Sequence, residues 1–365
     1  MSDRTNTHRN AHGDTTDERI AENSSAPNRR DVLRTGAVGA GAIAIGAAMV
    51  GTSFPRPALA QASPGVRIGQ FASTGPGMTI NTYWIDTPDG VLVVDGQWTL
   101  PFAREAMAKM RSEVGDKPIV GLLITHDHTD HYGGMNAIVE AAREGGTDGL
   151  PIYASRQTAL SLANDAQGFQ ANRAEEFGDD FGETTTPNRI VGDGDTIDLG
   201  GTVLRVMERP HCEAPTTTML HIESAVPANG EAGAGVLICA DMVFDRHLPG
   251  TREGFTAVEN WLVELGRLNE THADAVLHMG HGTPRRGADV IAEQQAILRD
   301  LRDPVYDAVM RDGVLEEAVR DEIVTKLMAR YGSWNSIIGL PHERVLALDL
   351  DWIARDIDVQ PPEAG

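Results

Sequence analysis

Short apolar segments alternate with amphipathic stretches from residue 66 to residue 285. In the first half of this region the apolar segments predict β-strands at 66–72, 78–86, 90–94, 119–124 and 151–154. Helical stripes at 101–114 and 135–143 separate the last three of these strands. This alternation of strands and helices is typical of a layered α/β sheet.

The second half of the region repeats this organisation with more turn signals. Apolar segments predict strands at 189–191, 195–199, 202–207, 216–222, 235–239 and 275–277. Gly-Asp-Gly and Gly-Gly turns between the early strands favour antiparallel pairing. A helix is predicted at 255–268, just before the last strand. We therefore expect a second sheet that is also backed by helices.

Two segments depart from this alternation. Residues 156–187 combine a short predicted helix with an acidic loop rich in Gly and Thr, which is either a lid over a site or a solvated insertion. Beyond residue 285 the pattern is helical to about residue 355, with interruptions near Pro304, Gly313 and 332–335. We interpret residues 286–360 as a C-terminal helical extension that either packs on the preceding domain or mediates homodimer formation.

The N-terminal 60 residues have the features of an export signal. A polar stretch reaches Arg29-Arg30, an uncharged run follows from Thr35 to Pro55, and the small-residue site at 58–60 ends the segment. This order is typical of a twin-arginine signal, which implies the twin-arginine export machinery as a partner. We expect cleavage near Ala60 and a periplasmic or secreted protein, with a retained anchor as the alternative.

Composition excludes some partners. The chain of 365 residues has 53 Asp and Glu against 31 Lys and Arg, a formal charge of −22. The electrostatic field of this negative charge repels phosphate backbones, so nucleic acid is not an expected partner.

Only two cysteines are present, Cys212 and Cys239. They rule out a disulfide framework and are either a single pair or two buried small side chains.

The densest chemistry lies directly after the predicted strand at 119–124. Residues 125–131 read Thr-His-Asp-His-Thr-Asp-His, and Gly133-Gly134 follow. Imidazole nitrogens and carboxylate oxygens are ligands that suit zinc and its first-row neighbours. In an extended segment His126, His128 and Asp130 project to one side, and a turn lets His131 approach from another direction. The stretch therefore predicts a metal site, with room for two ions.

This His-x-His-x-Asp-His stretch resembles the signature of the metallo-β-lactamase fold superfamily. Three later strand ends match the other ligand positions of that family, namely Arg209-Pro210-His211, Cys239-Ala240-Asp241 and Gly280-His281-Gly282. The resemblance covers residues 66–285. It implies a four-layer αββα sandwich of the α/β (α+β) class, with the helical extension added at the C-terminus.

The resemblance also implies a set of metal ligands. One metal ion is expected on His126, His128 and His211, the other on Asp130, His131 and His281, and Asp241 is expected to bridge them. The position of Asp95 implies a residue that supports the metal loop without binding metal. The cofactors implied are two zinc ions, with iron or manganese as alternatives.

The implied activity is hydrolysis by hydroxide held between two metal ions. We expect cleavage of an ester, lactone, thioester or cyclic amide in a small molecule, with Asp130 orienting the hydroxide as a catalytic residue. A mononuclear iron enzyme resembling the sulfur dioxygenases, a true β-lactamase and a non-catalytic metal-binding protein are the alternatives. Glu213 either faces the pocket, as a general acid or a gate for cationic substrates, or is an exposed loop residue.

Overall fold

The structure, a computed structural model, describes residues 66–73, 79–165, 168–223, 225–226, 235–336 and 340–357. The predicted export signal at 1–60 and its cleavage site lie outside these residues, so export stays a prediction. Within the described ranges, no helix combines the length and the apolarity that crossing a bilayer requires.

The strands and helices follow the alternation that the sequence predicts. The strands are β1 (Val66–Ala72), β2 (Asn81–Thr87), β3 (Gly90–Val94), β4 (Ile119–Leu123), β5 (Ile152–Ala154), β6 (Arg189–Ile190), β7 (Thr196–Leu199), β8 (Thr202–Pro210), β9 (Thr216–Ile222), β10 (Ala225–Val226), β11 (Val236–Ala240), β12 (His247–Leu248), β13 (Val276–Met279), β14 (Arg285–Arg286) and β15 (Asn335–Ser336). The helices are α1 (Leu100–Val114), α2 (Met135–Glu144), α3 (Arg156–Asn164), α4 (Phe169–Phe177), α5 (Phe255–His272), α6 (Gly287–Asp312), α7 (Glu317–Tyr331) and α8 (His342–Arg355).

Two sheets form the centre of the described chain. The first has the strand order β10-β1-β2-β3-β4-β5-β6 and the second has the order β14-β13-β11-β9-β8-β7. Strands β3 to β6 pair in parallel, as do β11 and β13, whereas β7, β8 and β9 form an antiparallel meander. A separate two-stranded pairing joins β12 to β15.

Alternating side chains divide the interior into three apolar layers. In β3, Val91 and Val93 pack with α1 and α2, whereas Leu92 and Val94 pack against the second sheet. In β11 the same alternation sends Ile238 between the sheets and Leu237 towards the C-terminal helices. The central strands β3 and β11 therefore bury both faces, and the predicted four-layer αββα sandwich is confirmed.

The C-terminal helices share a core with the second sheet. Buried side chains of α6, α7 and α8 pack in one cluster with those of α5 and β11, including Leu298, Leu327 and Leu350. Trp261 of α5 lies fully buried within this cluster. The extension therefore covers the outer face of the second sheet.

The segment 156–187 is more helical than its sequence predicts. Helix α3 begins after Ser155, whose hydroxyl accepts a hydrogen bond from the Thr158 amide. Helix α4 follows at Phe169, although none of its residues is buried. A pattern search for an apolar stripe misses such a helix because it buries no apolar face, whereas Asp165 accepts hydrogen bonds from the Gln170 and Ala171 amides in its first turn.

The buried carboxyl of Asp349 in α8 should make the free energy of unfolding depend on pH. Burial raises the pKa of this carboxyl to about 8, against the effect of its hydrogen bonds from Thr251. An unfolded Asp ionises near pH ~3.9, so the folded state retains a proton that the unfolded state has released, and stability falls as pH rises from about 4 to 8. We expect Asp349→Asn to raise the free energy of unfolding at pH 8 by a few kcal/mol, roughly, with the gain vanishing near pH 4.

Urea unfolding of both proteins at several pH values measures this difference. Asp351→Asn on the same helix is the matched control, since Asp351 is only partly buried and faces Arg320. A wild-type-to-variant difference that is constant from pH 4 to pH 8 would contradict the assignment.

Candidate metal centre

The clustered side chains come from strand ends that meet at one edge of the sandwich. Asp95 follows β3 and the loop 124–131 follows β4, its parallel neighbour. Asp241 follows β11 and His281 comes two residues after β13, the parallel neighbour of β11. The carboxyl ends of parallel strands lie at the same edge, so each sheet delivers two sets of polar groups there.

Hydrogen bonds join the two sheets at this edge. The Thr218 amide donates to the Thr125 carbonyl at 2.8 Å, and the Asn81 amide donates to the Gly280 carbonyl at 2.9 Å. The Tyr83 hydroxyl adds a bond of 2.7 Å to the Met279 carbonyl. The relative position of the two sets of strand ends is therefore fixed by backbone groups.

The backbone is strained or tightly packed beside the cluster. Asp95 and Ala240 have positive φ values of 63° and 47°, a region that side chains other than glycine rarely adopt. A Cβ on Gly280 would lie 1.9 Å from Asp241 Oδ1, so only glycine fits between β13 and His281. These positions hold Asp241 and His281 in place.

The first cluster contains His126, His128, Glu213 and Asp241. Glu213 Oε1 lies 3.2 Å from His128 Nδ1, and Glu213 Oε2 lies 3.8 Å from His126 Nε2. All four side chains are buried except His128, which is half-buried and reaches the pocket.

The second cluster contains Asp130, His131 and His281. Asp130 Oδ2 lies 3.4 Å from His131 Nε2 and 3.3 Å from His281 Nε2. Asp241 Oδ2 lies between the two clusters, at 3.7 Å from His126 Nε2, 3.4 Å from His131 Nε2 and 3.2 Å from His281 Nε2. The position of this oxygen suits a bridging carboxylate.

Three histidines are oriented by a hydrogen bond at the ring nitrogen that faces away from the cluster. His131 Nδ1 lies 2.7 Å from Asp95 Oδ2, and His281 Nδ1 lies 2.7 Å from the Thr79 carbonyl oxygen. His126 Nδ1 contacts the Thr125 hydroxyl at 2.9 Å. Each contact leaves Nε2 directed at the cluster, the arrangement that metal-binding histidines usually have.

Asp95 also holds the backbone of the histidine loop. Its Oδ1 accepts a hydrogen bond of 2.9 Å from the Thr125 amide, and its Oδ2 accepts one of 2.9 Å from the Thr125 hydroxyl. The supporting role that the sequence predicts for Asp95 agrees with these contacts.

The cluster carries a strongly negative potential. Burial disfavours protonation of His131, but the carboxylates of Asp241 and Asp130 outweigh it and raise the pKa of His131 well above its usual value. The same two carboxylates overcome burial at His281 and raise its pKa to about 10. Glu213 similarly overcomes burial at His128, whose pKa rises to about 9. The carboxylates therefore attract positive charge to this buried edge.

The donor set fits divalent metal ions. Among the described residues, the buried atoms His126 Nε2, His131 Nε2 and Glu213 Oε2 have no hydrogen-bond partner. Buried polar atoms without partners are costly, and one metal ion in each cluster would satisfy all three. Imidazole nitrogen together with carboxylate oxygen suits zinc, iron or manganese. The two clusters are thus candidate metal sites. His126, His128 and Glu213 belong to the first, Asp130, His131 and His281 belong to the second, and Asp241 is shared by both.

The structure does not bring His211 to these clusters, in contrast to the prediction for the first metal ion. His211 is exposed and has a positive φ of 52°, and the tight connection from β8 to β9 is closed by its amide donating to the Pro215 carbonyl. Glu213, two residues later, is 3% exposed and occupies the place expected of His211. The sequence signal for this ligand was an acidic residue, Glu213, in the connection between β8 and β9.

A cavity of about 330 Å³ opens onto both clusters. His128, Asp130, Glu213, Asp241 and His281 line its floor. Its walls are mostly aromatic and basic, and are formed by Trp98, Phe169, Arg173, Arg252 and Trp352. Helix α4 contributes Phe169 and Arg173, so the segment predicted as a lid or an insertion does line the site. Trp98 is also part of the wall.

The two cysteines are free and buried. Cys239 lies in the core beside α5, and Cys212 in the same apolar cluster. The prediction of two small buried side chains therefore describes this structure, in which no disulfide joins them.

This fold and site define a candidate metal-binding protein built on a four-layer αββα sandwich. The family model of the metallo-beta-lactamase superfamily matches residues 75–281, more than half of the sequence. The chain belongs to the metallo-beta-lactamase superfamily.

Among curated proteins, the chain is similar to a linear primary-alkylsulfatase of Pseudomonas sp. (strain ATCC 19151), with 24% identity over 272 residues, 67% of this chain and 49% of that protein. A second linear primary-alkylsulfatase of Pseudomonas sp. is 22% identical over 62% of this chain and 37% of its own length. The chain thus spans half or less of the length of these relatives.

Solved structures support the fold. A beta-lactamase domain protein from Burkholderia ambifaria superposes with a TM-score of 0.55 at 22% identity, over 80% of this chain and 85% of that one. A stereoselective inverting sec-alkylsulfatase from Pseudomonas sp. superposes with a TM-score of 0.53 at 18% identity, over 80% of this chain and 52% of that one.

Substitutions at Glu213 and His211 distinguish the two assignments of the first metal site. We expect Glu213→Gln to lower the affinity of that site for zinc by at least about tenfold, because a charged ligand becomes neutral. His211→Asn is the matched control and should bind zinc as the wild type does, because His211 is exposed. Metal titration of each purified protein against a competing chelator measures both. Zinc loss in the His211 variant with full binding by the Glu213 variant would restore the sequence-based assignment.

Proposed function

We propose that this chain hydrolyses sulfate esters of small molecules that carry an apolar group, with two zinc ions at the candidate sites. The observation that carries the proposal is a cationic and aromatic pocket above a carboxylate-rich metal centre. Hydrolysis adds water across the ester and releases an alcohol and hydrogen sulfate.

Arg252 supplies the positive charge of this pocket. Among the described residues it makes no ion pair, although the chain has a formal charge of −22. Its guanidinium lies 4.2 Å from the centre of the Phe169 ring, and this ring lies 6.3 Å from that of His128. A cation held on an aromatic ring next to the metal ligands suits an anionic substrate group.

The remaining walls suit an apolar group. Trp98, Phe169 and Trp352 line the cavity, and Trp98 is stacked edge-on against Phe177 at 5.4 Å. Arg173 lies 5.0 Å from the Trp98 ring but also pairs with Glu176, so it contributes less free charge than Arg252. A sulfate ester with an alkyl or aryl group combines an anion and an apolar part in the same way.

In the proposed hydrolysis, the metal ions and the side chains at the site have different roles. Divalent metal ions supply Lewis acidity, which lowers the pKa of water to near neutrality and offsets charge on the ester oxygens. Asp241 holds the two clusters together through one oxygen, and Asp130, which is partly exposed to the cavity, orients the attacking water. The buried His126, His131 and His281 keep bulk water from the floor of the site.

The relatives favour the same bond class. Both curated relatives are named linear primary-alkylsulfatases. We carry sulfate ester hydrolysis to this chain as a proposal, because the matched region is only part of those proteins. The proposal narrows the ester, lactone, thioester or cyclic amide bond that the sequence predicts to a sulfate ester.

Turnover of a substrate panel tests the proposed bond class. We expect the zinc-loaded protein to hydrolyse alkyl sulfates faster than matched lactone, β-lactam, thioester and phosphodiester substrates. Metal analysis of the same preparation should give about two zinc ions per chain. Exclusive turnover of a non-sulfate substrate, or a single iron ion with no hydrolysis, would contradict the proposal.

Arg252 provides a second test. We expect Arg252→Ala to raise KM for an alkyl sulfate by about 10- to 100-fold, since a hydrogen bond to a charged group contributes about 1.5–3 kcal/mol. Steady-state kinetics with Arg156→Ala as control measures this, because Arg156 is exposed at the start of α3. An unchanged KM in the Arg252 variant would show that the anion binds elsewhere.

A further inference from the structure

Helix α8, in the C-terminal extension, contacts the pocket although it lies far from the ligands in sequence. Trp352 lines the cavity, whereas Val345, Leu346, Leu350 and Ile353 are buried in the core beside the second sheet. Asp349 and Trp352 are three residues apart, so they share one side of the helix, and Asp356 directly follows its last residue. This side faces the segment from residue 250 to residue 256.

Asp349 binds that segment near its start, at Thr251. Its Oδ1 accepts a hydrogen bond of 2.8 Å from the Thr251 amide and one of 3.0 Å from the Thr251 hydroxyl. The same hydroxyl lies 3.1 Å from the Asp349 backbone carbonyl. Thr251 is 2% exposed, whereas its neighbours Gly250 and Arg252 line the cavity. Anchoring Thr251 inward therefore directs the residues on either side of it to the pocket.

Both ends of this segment are also held by the C-terminal extension. Strand β12, which precedes the segment, pairs with β15. After it, Asp356 Oδ2 accepts a hydrogen bond of 2.8 Å from the Thr256 amide at the start of α5. Within the segment the Gly254 amide donates to the Thr251 carbonyl at 2.9 Å.

The burial of the Asp349 carboxyl lowers the stability of the fold, and the hydrogen bonds that this carboxyl accepts come from Thr251. The carboxyl is fully buried, and among the described residues its Oδ2 has no hydrogen-bond partner. A buried carboxyl with an unsatisfied oxygen reduces stability, and such a cost is often found where a residue serves a functional site. Its contacts are to the residue next to Arg252.

We propose that Asp349 is a positioning residue of the active site, which fixes the 250–252 segment so that Arg252 presents its guanidinium to an anionic substrate group. The inference rests on the proposed function for the identity of that anion. Asp349 acts through Arg252 and does not itself touch substrate. The C-terminal extension is then a functional part of the site as well as the cover of the second sheet.

The test compares Asp349→Ala, Arg252→Ala and the double variant in the zinc-loaded, full-length protein. We expect Asp349→Ala to weaken binding of inorganic sulfate and to raise KM for an alkyl sulfate by about tenfold, with kcat changed far less. In the Arg252→Ala background, the Asp349 substitution should add no further loss. Additive losses in the double variant would overturn the inference, because they would show that Asp349 acts independently of Arg252.

Conservative variants separate positioning from folding. Asp349→Asn keeps an acceptor for Thr251 and should retain wild-type sulfate binding, whereas Asp351→Ala, on the same helix but facing Arg320, should be silent. If Asp349→Ala fails to fold, Thr251→Val, which removes only the hydroxyl donor, replaces it in the cycle with Arg252→Ala. Loss of sulfate binding in Asp349→Asn at full stability would also overturn the proposal.

A direct measurement of sulfate binding separates this test from the test of the proposed function. Calorimetry with inorganic sulfate needs no turnover. Sulfate binding that depends on Asp349 and Arg252 together, with no hydrolysis of alkyl sulfates, would contradict the proposed function and leave the positioning role supported. Absence of sulfate binding by the wild type would overturn the inference itself.

Discussion

The constraint on which the site depends is the burial of several carboxylates at one edge of the sandwich. Asp95, Glu213 and Asp241 are each at most 3% exposed, and Asp130 adjoins them. Isolated charges buried at this edge would be very costly, so the fold surrounds the carboxylates with histidines. Ligand atoms that have no hydrogen-bond partner among the described residues remain available to bind cations. The negative potential that raises the pKa of His131 and His281 is the same potential that favours divalent metal ions.

The sandwich meets this constraint with backbone geometry. Parallel strands in each sheet end at the same edge, and hydrogen bonds between Thr218 and Thr125 and between Asn81 and Gly280 join the two edges. Ligands that lie far apart in sequence are thereby held within a few ångströms, before any metal ion contributes. Strained backbone at Asp95 and Ala240 is tolerated because the surrounding contacts fix it.

The helices outside the first sheet and those of the C-terminal extension shape what the metal centre can accept. Helix α4 supplies Phe169 and Arg173, and α8 supplies Trp352 and the anchor for the Arg252 segment. These elements add the aromatic surface and the positive charge that the strand-end ligands lack. The candidate metal ligands and the walls of the cavity therefore come from different parts of the chain.

The sequence by itself determined the fold class and four of the side chains that cluster, namely His126, His128, Asp130 and His131, because strand periodicity and the spacing in residues 125–131 are local properties. Asp241 and His281 were also accessible, since each lies a few residues beyond a predicted strand at a position that the family resemblance implies. Only the tertiary structure showed that Glu213 joins the first cluster and that His211 does not, because the direction of each side chain depends on the turn between β8 and β9. Likewise, only packing brings Arg252 and Trp352 to one cavity, since their approach depends on long-range contacts that no local pattern encodes.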